Sequence, residues 1–132
     1  MALASVFSRA RVGLESPLIN VEVHLANGLP AFNIVGLPET SVKESKDRVR
    51  SAIINCGYDF PAKRITVNLA PADLPKEGGR FDLPIAVGIL AASNQLPHSD
   101  LKHYEFAGEL ALSGEVRAII GEIPMAIACS KS

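Results

Sequence analysis

The segment DLPIAVGILAAS, residues 82–93, carries one charged residue at its start and no other polar side chain until its final serine. A helix with almost no polar face must be enclosed, and packing against a sheet is the usual way to enclose it. The segment therefore predicts a buried helix over 83–93, with Asp82 as its N-cap and Pro84 tolerated in the first turn. Gly88 inside such a helix costs about 1 kcal/mol relative to alanine, a penalty that makes sense if another backbone passes close by. The chain has 132 residues, 48% hydrophobic and 20% charged. That suffices for one globular domain with a single sizeable core, and not for two.

The sheet is expected mainly from the first half of the chain. Ile19, Val21, Val23 and Leu25 alternate with Asn20, Glu22 and His24, the period of a half-buried strand. Asn27-Gly28 follows as a hairpin signal, because both residues tolerate positive φ, and Phe32, Ile34 and Val35 then read as the return strand. ASVFSRARV ahead of them adds a further strand to the same sheet. KRITVNLAP is another alternating strand, with Ile65, Val67 and Leu69 on one face.

Between these strands the period changes to that of a helix, from Glu39 to Cys56. Val42, Val49, Ala52, Ile53 and Cys56 share one face of it. Lys43–Asp47 and Glu44–Arg48 are i,i+4 pairs of opposite charge. Ser41 and Glu44 have the spacing of a capping box, although Pro38 suggests an earlier start. Gly57 is placed to end the helix in a left-handed conformation. YEFAGELALSGEVRAI reads as two short strands around Ser113-Gly114, and EIPMAIACSKS begins a last helix. No capping glycine closes that helix, so residue 132 is expected to be a boundary inside a longer protein. The core is expected to contain Val21, Val23, Val49, Ile53, Ile65, Val67, Leu83, Val87 and Leu90.

The net charge of −1 gives no global attraction to nucleic acid or to an anionic membrane, so any such contact must come from a local patch. Cys56 and Cys129 lack a CxxC spacing, which suits a reducing compartment. The N-terminal sequence has no signal-peptide pattern, and no apolar run reaches the roughly 18 residues of a membrane span. A cytoplasmic protein with no membrane contact is expected. His24, His98 and His103 are scattered and do not read as a metal site.

The loop PKEGGRFD ahead of the apolar helix is of a type that can hold a nucleophile, cradle a phosphate or simply turn a corner. A phosphate-binding Walker loop needs a glycine followed by lysine, and no glycine in the chain is followed by lysine. The structural account is that Gly78-Gly79 turn the chain, Asp82 caps the helix and Phe81 enters the core. The functional account rests on Lys76 and Arg80 in the loop, with Lys63 and Arg64 opening the strand before it. Residues 43–80 hold eight basic and five acidic side chains, against five and nine elsewhere. Lys63, Arg64, Lys76 and Arg80 are thus candidate contacts for DNA phosphates or for a neighbouring ring of subunits.

VNLAPADLPKEGGRFDLPIAVGILAAS, FAGELALSGEVRAIIGEIPMAIA and GLPAFNIVGLPETSVKESKDRVRSAI together resemble the Lon-protease-like domain of the magnesium-chelatase-like AAA+ proteins. The resemblance covers nearly the whole chain. It implies an α/β (α+β) domain of the ribosomal-S5-domain-2-like type, with a mixed sheet and helices packed on it, where composition and period alone give only an α/β domain. It also implies that residues 1–132 precede an ATPase module that lies outside this chain. ATP and Mg would bind in that module, with no cofactor in this chain. The family's partners would be the chain's own AAA+ module, a homo-hexameric ring and DNA, in homologous recombination during natural transformation.

Lon-type peptidases use a serine activated by a lysine. By this resemblance the serine position falls near Arg80 or Phe81 and the lysine position near Ile123. No serine occurs between Ile65 and Ala92, and the only lysine after Gly108 is Lys131. Three functions follow: a non-catalytic accessory domain of a DNA motor, a protein-interaction or oligomerisation module without DNA contact, and a Lon-like serine peptidase, which the missing dyad argues against.

Overall fold

A computed structural model describes residues 2–74, 76, 79–98 and 101–117. Four strands form the main sheet: β1 (Ala2–Arg9), β2 (Leu18–Ala26), β3 (Ala31–Val35) and β4 (Arg64–Ala70), in the order β1-β2-β4-β3. β1 pairs antiparallel with β2, β2 antiparallel with β4, and β3 parallel with β4. The sheet is therefore mixed. Two helices, α1 (Glu39–Asn55) and α2 (Asp82–Ala92), accompany it, with a 3-10 turn at Leu101–His103 and a small ladder of β5 (Glu109–Leu110) and β6 (Val116–Arg117).

The sheet is built by alternation. Ile19, Val21 and Val23 of β2 and Ile65, Val67 and Leu69 of β4 are all fully buried on one face. Their neighbours Asn20, Glu22, His24, Thr66 and Asn68 point to the other. β4 is central and its register sets Val67 beside both Val23 and Ile34. Parallel strands need a crossover, and α1 supplies it between β3 and β4.

The expected β2–β3 hairpin does not form. Asn27-Gly28 does reverse the chain, and Gly28 has φ +143°. β4 then inserts between the two strands, so β3 takes its hydrogen bonds from β4 instead of β2.

α1 starts at Glu39 with Pro38 at the N-cap position and no side-chain cap. The Ser41–Glu44 capping box is thus absent, because Pro38 already sets the start and its carbonyl accepts from the Ser41 and Val42 amides. At the other end Tyr58 N–H reaches Ile53 O and Gly57 N–H reaches Ile54 O, with Gly57 at φ +86°. That is the left-handed glycine ending expected from sequence.

α2 is enclosed as its composition requires, with nine of its residues buried, among them Ile85, Ile89, Leu90 and Ala91. Gly88 is needed for a side chain and not for a passing backbone: a Cβ there would stand 2.5 Å from Cγ2 of Val23. Of the nine expected core residues seven are buried. Leu83 and Val87 are half-buried and pack on the core from its margin.

Ile53→Ala and Leu90→Ala should each lower stability by roughly 2–5 kcal/mol in chemical denaturation, since each empties an enclosed site. Gly88→Ala should lower it by about 1–3 kcal/mol, because the stiff, buried Val23 has little room to yield. An alanine at 88 that leaves the midpoint unchanged would disprove the close approach.

Candidate functional site

The glycine loop runs from the end of β4 to α2, and its two described cations are turned inward. Lys76 is 3% exposed and Arg80 is 5% exposed. The Lys76 ammonium donates to the carbonyl oxygens of Pro71 at 2.6 Å and Leu74 at 3.1 Å. Burial pulls its pKa below the ordinary lysine value, with Asp73 opposing. Arg80 donates from Nη1 to the Arg9 carbonyl at 3.2 Å, and its own carbonyl accepts from Gly108 N–H at 2.9 Å. Arg9 in turn grips Glu105 through Nε at 2.6 Å and Nη2 at 3.0 Å.

A contact to DNA phosphates or to a neighbouring subunit needs Lys76 and Arg80 on the surface, and the structure buries both. Backbone carbonyls at the end of β4 and β1 offer these cations acceptors, and the chain folds them in. Phe81, beside Arg80 at the position where the resemblance sets a peptidase serine, is 1% exposed. The position near Ile123 lies outside the described residues, as do Cys129 and the expected last helix.

Asp82 does not cap α2. It lies in the first turn of the helix, which has no side-chain cap, while the Leu83 amide is satisfied by the Gly108 carbonyl. The carboxylate is 1% exposed and serves three neighbours. Ser45 Oγ donates to it at 2.7 Å, Arg48 Nε at 2.5 Å, and the Leu110 amide at 3.2 Å. Burial pushes the Asp82 carboxyl above its ordinary 3.8, and the Arg48 and Ser45 hydrogen bonds pull it back. The hydrogen bond to Asp82 moves Arg48 upward. The geometry, a carboxylate accepting from three residues, identifies an ion pair that joins α1, α2 and β5.

Lys63 and Arg64 are placed differently. Both are exposed at the start of β4, where Lys63 donates to Asn27 Oδ1 at 2.8 Å. Lys76 binds the carbonyl of Pro71, just past the far end of that strand. The seven-residue strand spans roughly 20 Å at about 3.3 Å per residue, so the four cations do not form one patch. Sequence proximity hid this separation, and the alternation of β4 was the signal available to find it.

Among the described residues no three His, Cys, Asp or Glu side chains gather as metal ligands, and no helix is long and apolar enough to cross a membrane.

A mixed sheet with two packed helices, β4 inserted at its centre and a glycine loop feeding a buried helix, fits the Lon-protease-like, ribosomal-S5-domain-2-like class of α/β domain. Within that class the chain belongs to the family described as subunit ChlI of Mg-chelatase, whose pattern it matches over residues 21–132. It is 64% identical to the competence protein ComM of Haemophilus influenzae over the whole chain, which is 26% of that protein. It is 60% identical to the uncharacterised protein YifB of Escherichia coli over the same length. It is 40% identical over 131 residues to the uncharacterised protein Rv2897c of Mycobacterium tuberculosis. The chain spans about a quarter of the length of these curated relatives.

The buried groups generate two predictions. Lys76→Ala with Arg80→Ala should lower stability by at least about 2 kcal/mol, since each loses a charged hydrogen bond from a buried position; an unchanged thermal midpoint would return both side chains to the surface. Arg48→Met should cost about 3–5 kcal/mol at neutral pH by stranding the Asp82 charge. Loss of Arg48 raises the folded-state pKa of Asp82 further above its unfolded value. Stability is then retained below the ordinary carboxyl pKa and lost as pH rises through the raised one. The deficit of the variant against wild type should therefore be small near pH 4 and grow toward pH 7, as measured by urea denaturation across pH.

Proposed function

We propose that this chain is the N-terminal accessory domain of an ATP-driven DNA motor of the branch-migration helicase type. It has no catalysis of its own and helps to hold DNA or assemble the ring. The observation that carries the reading is the 64% identity to a competence protein along every residue of the chain. The glycine loop supports it from the chemical side. Where a Lon-type enzyme has its nucleophile, this chain has Arg80, tied to the Arg9 carbonyl, and the enclosed Phe81. ATP and Mg then belong to the AAA+ module of the longer protein, and that module supplies the main contacts of a homo-hexamer. The exposed free thiol of Cys56 fits the reducing conditions of a cytoplasmic protein.

A second reading, an interaction or oligomerisation module without DNA contact, is favoured by one observation: Lys76 and Arg80, half of the candidate phosphate ligands, are buried on backbone carbonyls. Phosphate contact on the first reading falls to Lys63 and Arg64.

The full-length protein should hydrolyse ATP faster with DNA than without it, and removing residues 1–132 should weaken DNA binding or ring assembly. Equal rates with and without DNA would sink the motor reading. The isolated chain should be monomeric or weakly associated by light scattering and should leave casein intact; a stable hexamer of the fragment would move the ring contacts into this domain.

A further inference from the structure

The flank of α1 that faces away from Asp82 has no part in the ion pair with Arg48. With 3.6 residues per turn, Lys43, Lys46 and Arg50 share that flank. Arg48, which grips Asp82, and Asn55, which donates to the Leu112 carbonyl, lie on the other. The Arg50 guanidinium sits 4.8 Å from the centroid of the Phe60 ring. Phe60 packs on Phe32 at 5.5 Å, and Phe32 is the register partner of Ile65, the residue after Arg64. These contacts tie the helix flank to the strand that Lys63 and Arg64 open, with Arg64 itself on the opposite face of the sheet from Ile65.

Lys43, Lys46, Arg50, Lys63 and Arg64 form no ion pair with a described residue. Arg9 pairs with Glu105, and Arg48 with Glu44 and Asp82. The Lys43–Asp47 pair expected from spacing does not form, whereas Glu44–Arg48 does, at 3.6 Å. Lys63 is held only by the neutral Asn27 oxygen, and Arg50 rests on a ring. Stacking on an aromatic face orients a guanidinium while leaving its N–H edges available.

We propose that Lys43, Lys46, Arg50, Lys63 and Arg64 form one contact surface for the phosphate backbone of DNA, bending round the corner of the sheet where β3 and β4 begin. The proposal rests on the DNA-motor reading and moves its contact from the glycine loop to α1 and the start of β4. A line of unpaired cations complements a polyanion, and phosphate contacts fix position without reading sequence. Glu39 and Asp47 lie on the same flank of α1 and lower its net positive charge, and neither they nor Asp59 forms an ion pair with these groups. Five cations engage at most about five phosphates, so the contribution to the salt slope of duplex binding is no steeper than about −4.5.

The test uses the full-length protein, a labelled duplex of arbitrary sequence and anisotropy titrations over a range of salt concentrations. Lys43→Ala/Lys46→Ala/Arg50→Ala should weaken binding on every duplex and make the slope shallower by up to about 2.7, at about 0.9 per lost phosphate. Lys63→Ala/Arg64→Ala should do the same to a lesser degree, and Lys102→Ala/Arg117→Ala should change neither quantity. Because Arg50 touches Phe60, Lys43→Glu/Lys46→Glu serves as a second variant that leaves the ring contact intact. Wild-type slopes in all the α1 and β4 variants overturn this surface while leaving the motor reading in place. Failure of the unaltered protein to bind DNA overturns both. If the variants lose binding to poly-glutamate and keep binding to DNA, the surface serves an acidic protein and the proposal falls.

Discussion

The Asp82 carboxylate is the tie on which the arrangement of the helices depends. α1 and α2 are distant in sequence, and each has apolar reasons to lie against the sheet, but apolar burial has no direction. The bond from Arg48 and the one from Ser45 select one sliding position of α1 along α2. The bond from Leu110 fixes β5 to the same atoms. An ion pair of this kind adds little net stability over a packed apolar group, because desolvation offsets most of the attraction. What it adds here is geometry, since a shifted helix would leave a charge in the core.

The glycine loop follows the same logic with the sign reversed. Its cations are fed into the ends of β1 and β4, where carbonyls without strand partners accept them. Among the described residues the interior therefore contains one acid, Asp82, and three cations, Arg9, Lys76 and Arg80. Charges that have settled indoors are unavailable for outside work, and the surface chemistry passes to α1 and the start of β4.

Much of the fold was legible in the residues. The period of two in Ile65, Val67 and Leu69, the change to helical period at Glu39, and the all-apolar run after Asp82 each specified an element and its buried side. The pairing of the strands was not legible. Asn27-Gly28 encodes a reversal of direction, a local property, while the identity of a strand's neighbour depends on residues some thirty positions away. Asp82 was misread for a related reason. An aspartate at a helix start has the same sequence signature whether it bonds its own amides or reaches across to Arg48. Lys76 and Arg80 looked exposed because charge in a glycine-rich loop normally is; Lys76 folds back on carbonyls of its own loop, and Arg80 reaches one at the end of β1. Lys63 and Arg64 sit on the surface as their sequence setting suggested, while nothing in the residues distinguishes the flank of Lys43, Lys46 and Arg50 from an ordinary solvated face.

The insertion of β4 between β2 and β3 also constrains how the chain is made. Synthesis proceeds from the N-terminus, so β1, β2 and β3 leave the ribosome before residues 64–70 exist to join them. Until then β2 has only β1 beside it, and β3 has no ladder at all. The gap must stay open rather than close into the hairpin that Asn27-Gly28 invites. Phe32 and Ile34, apolar and waiting, are the surfaces that a nascent chain would have to keep from premature pairing.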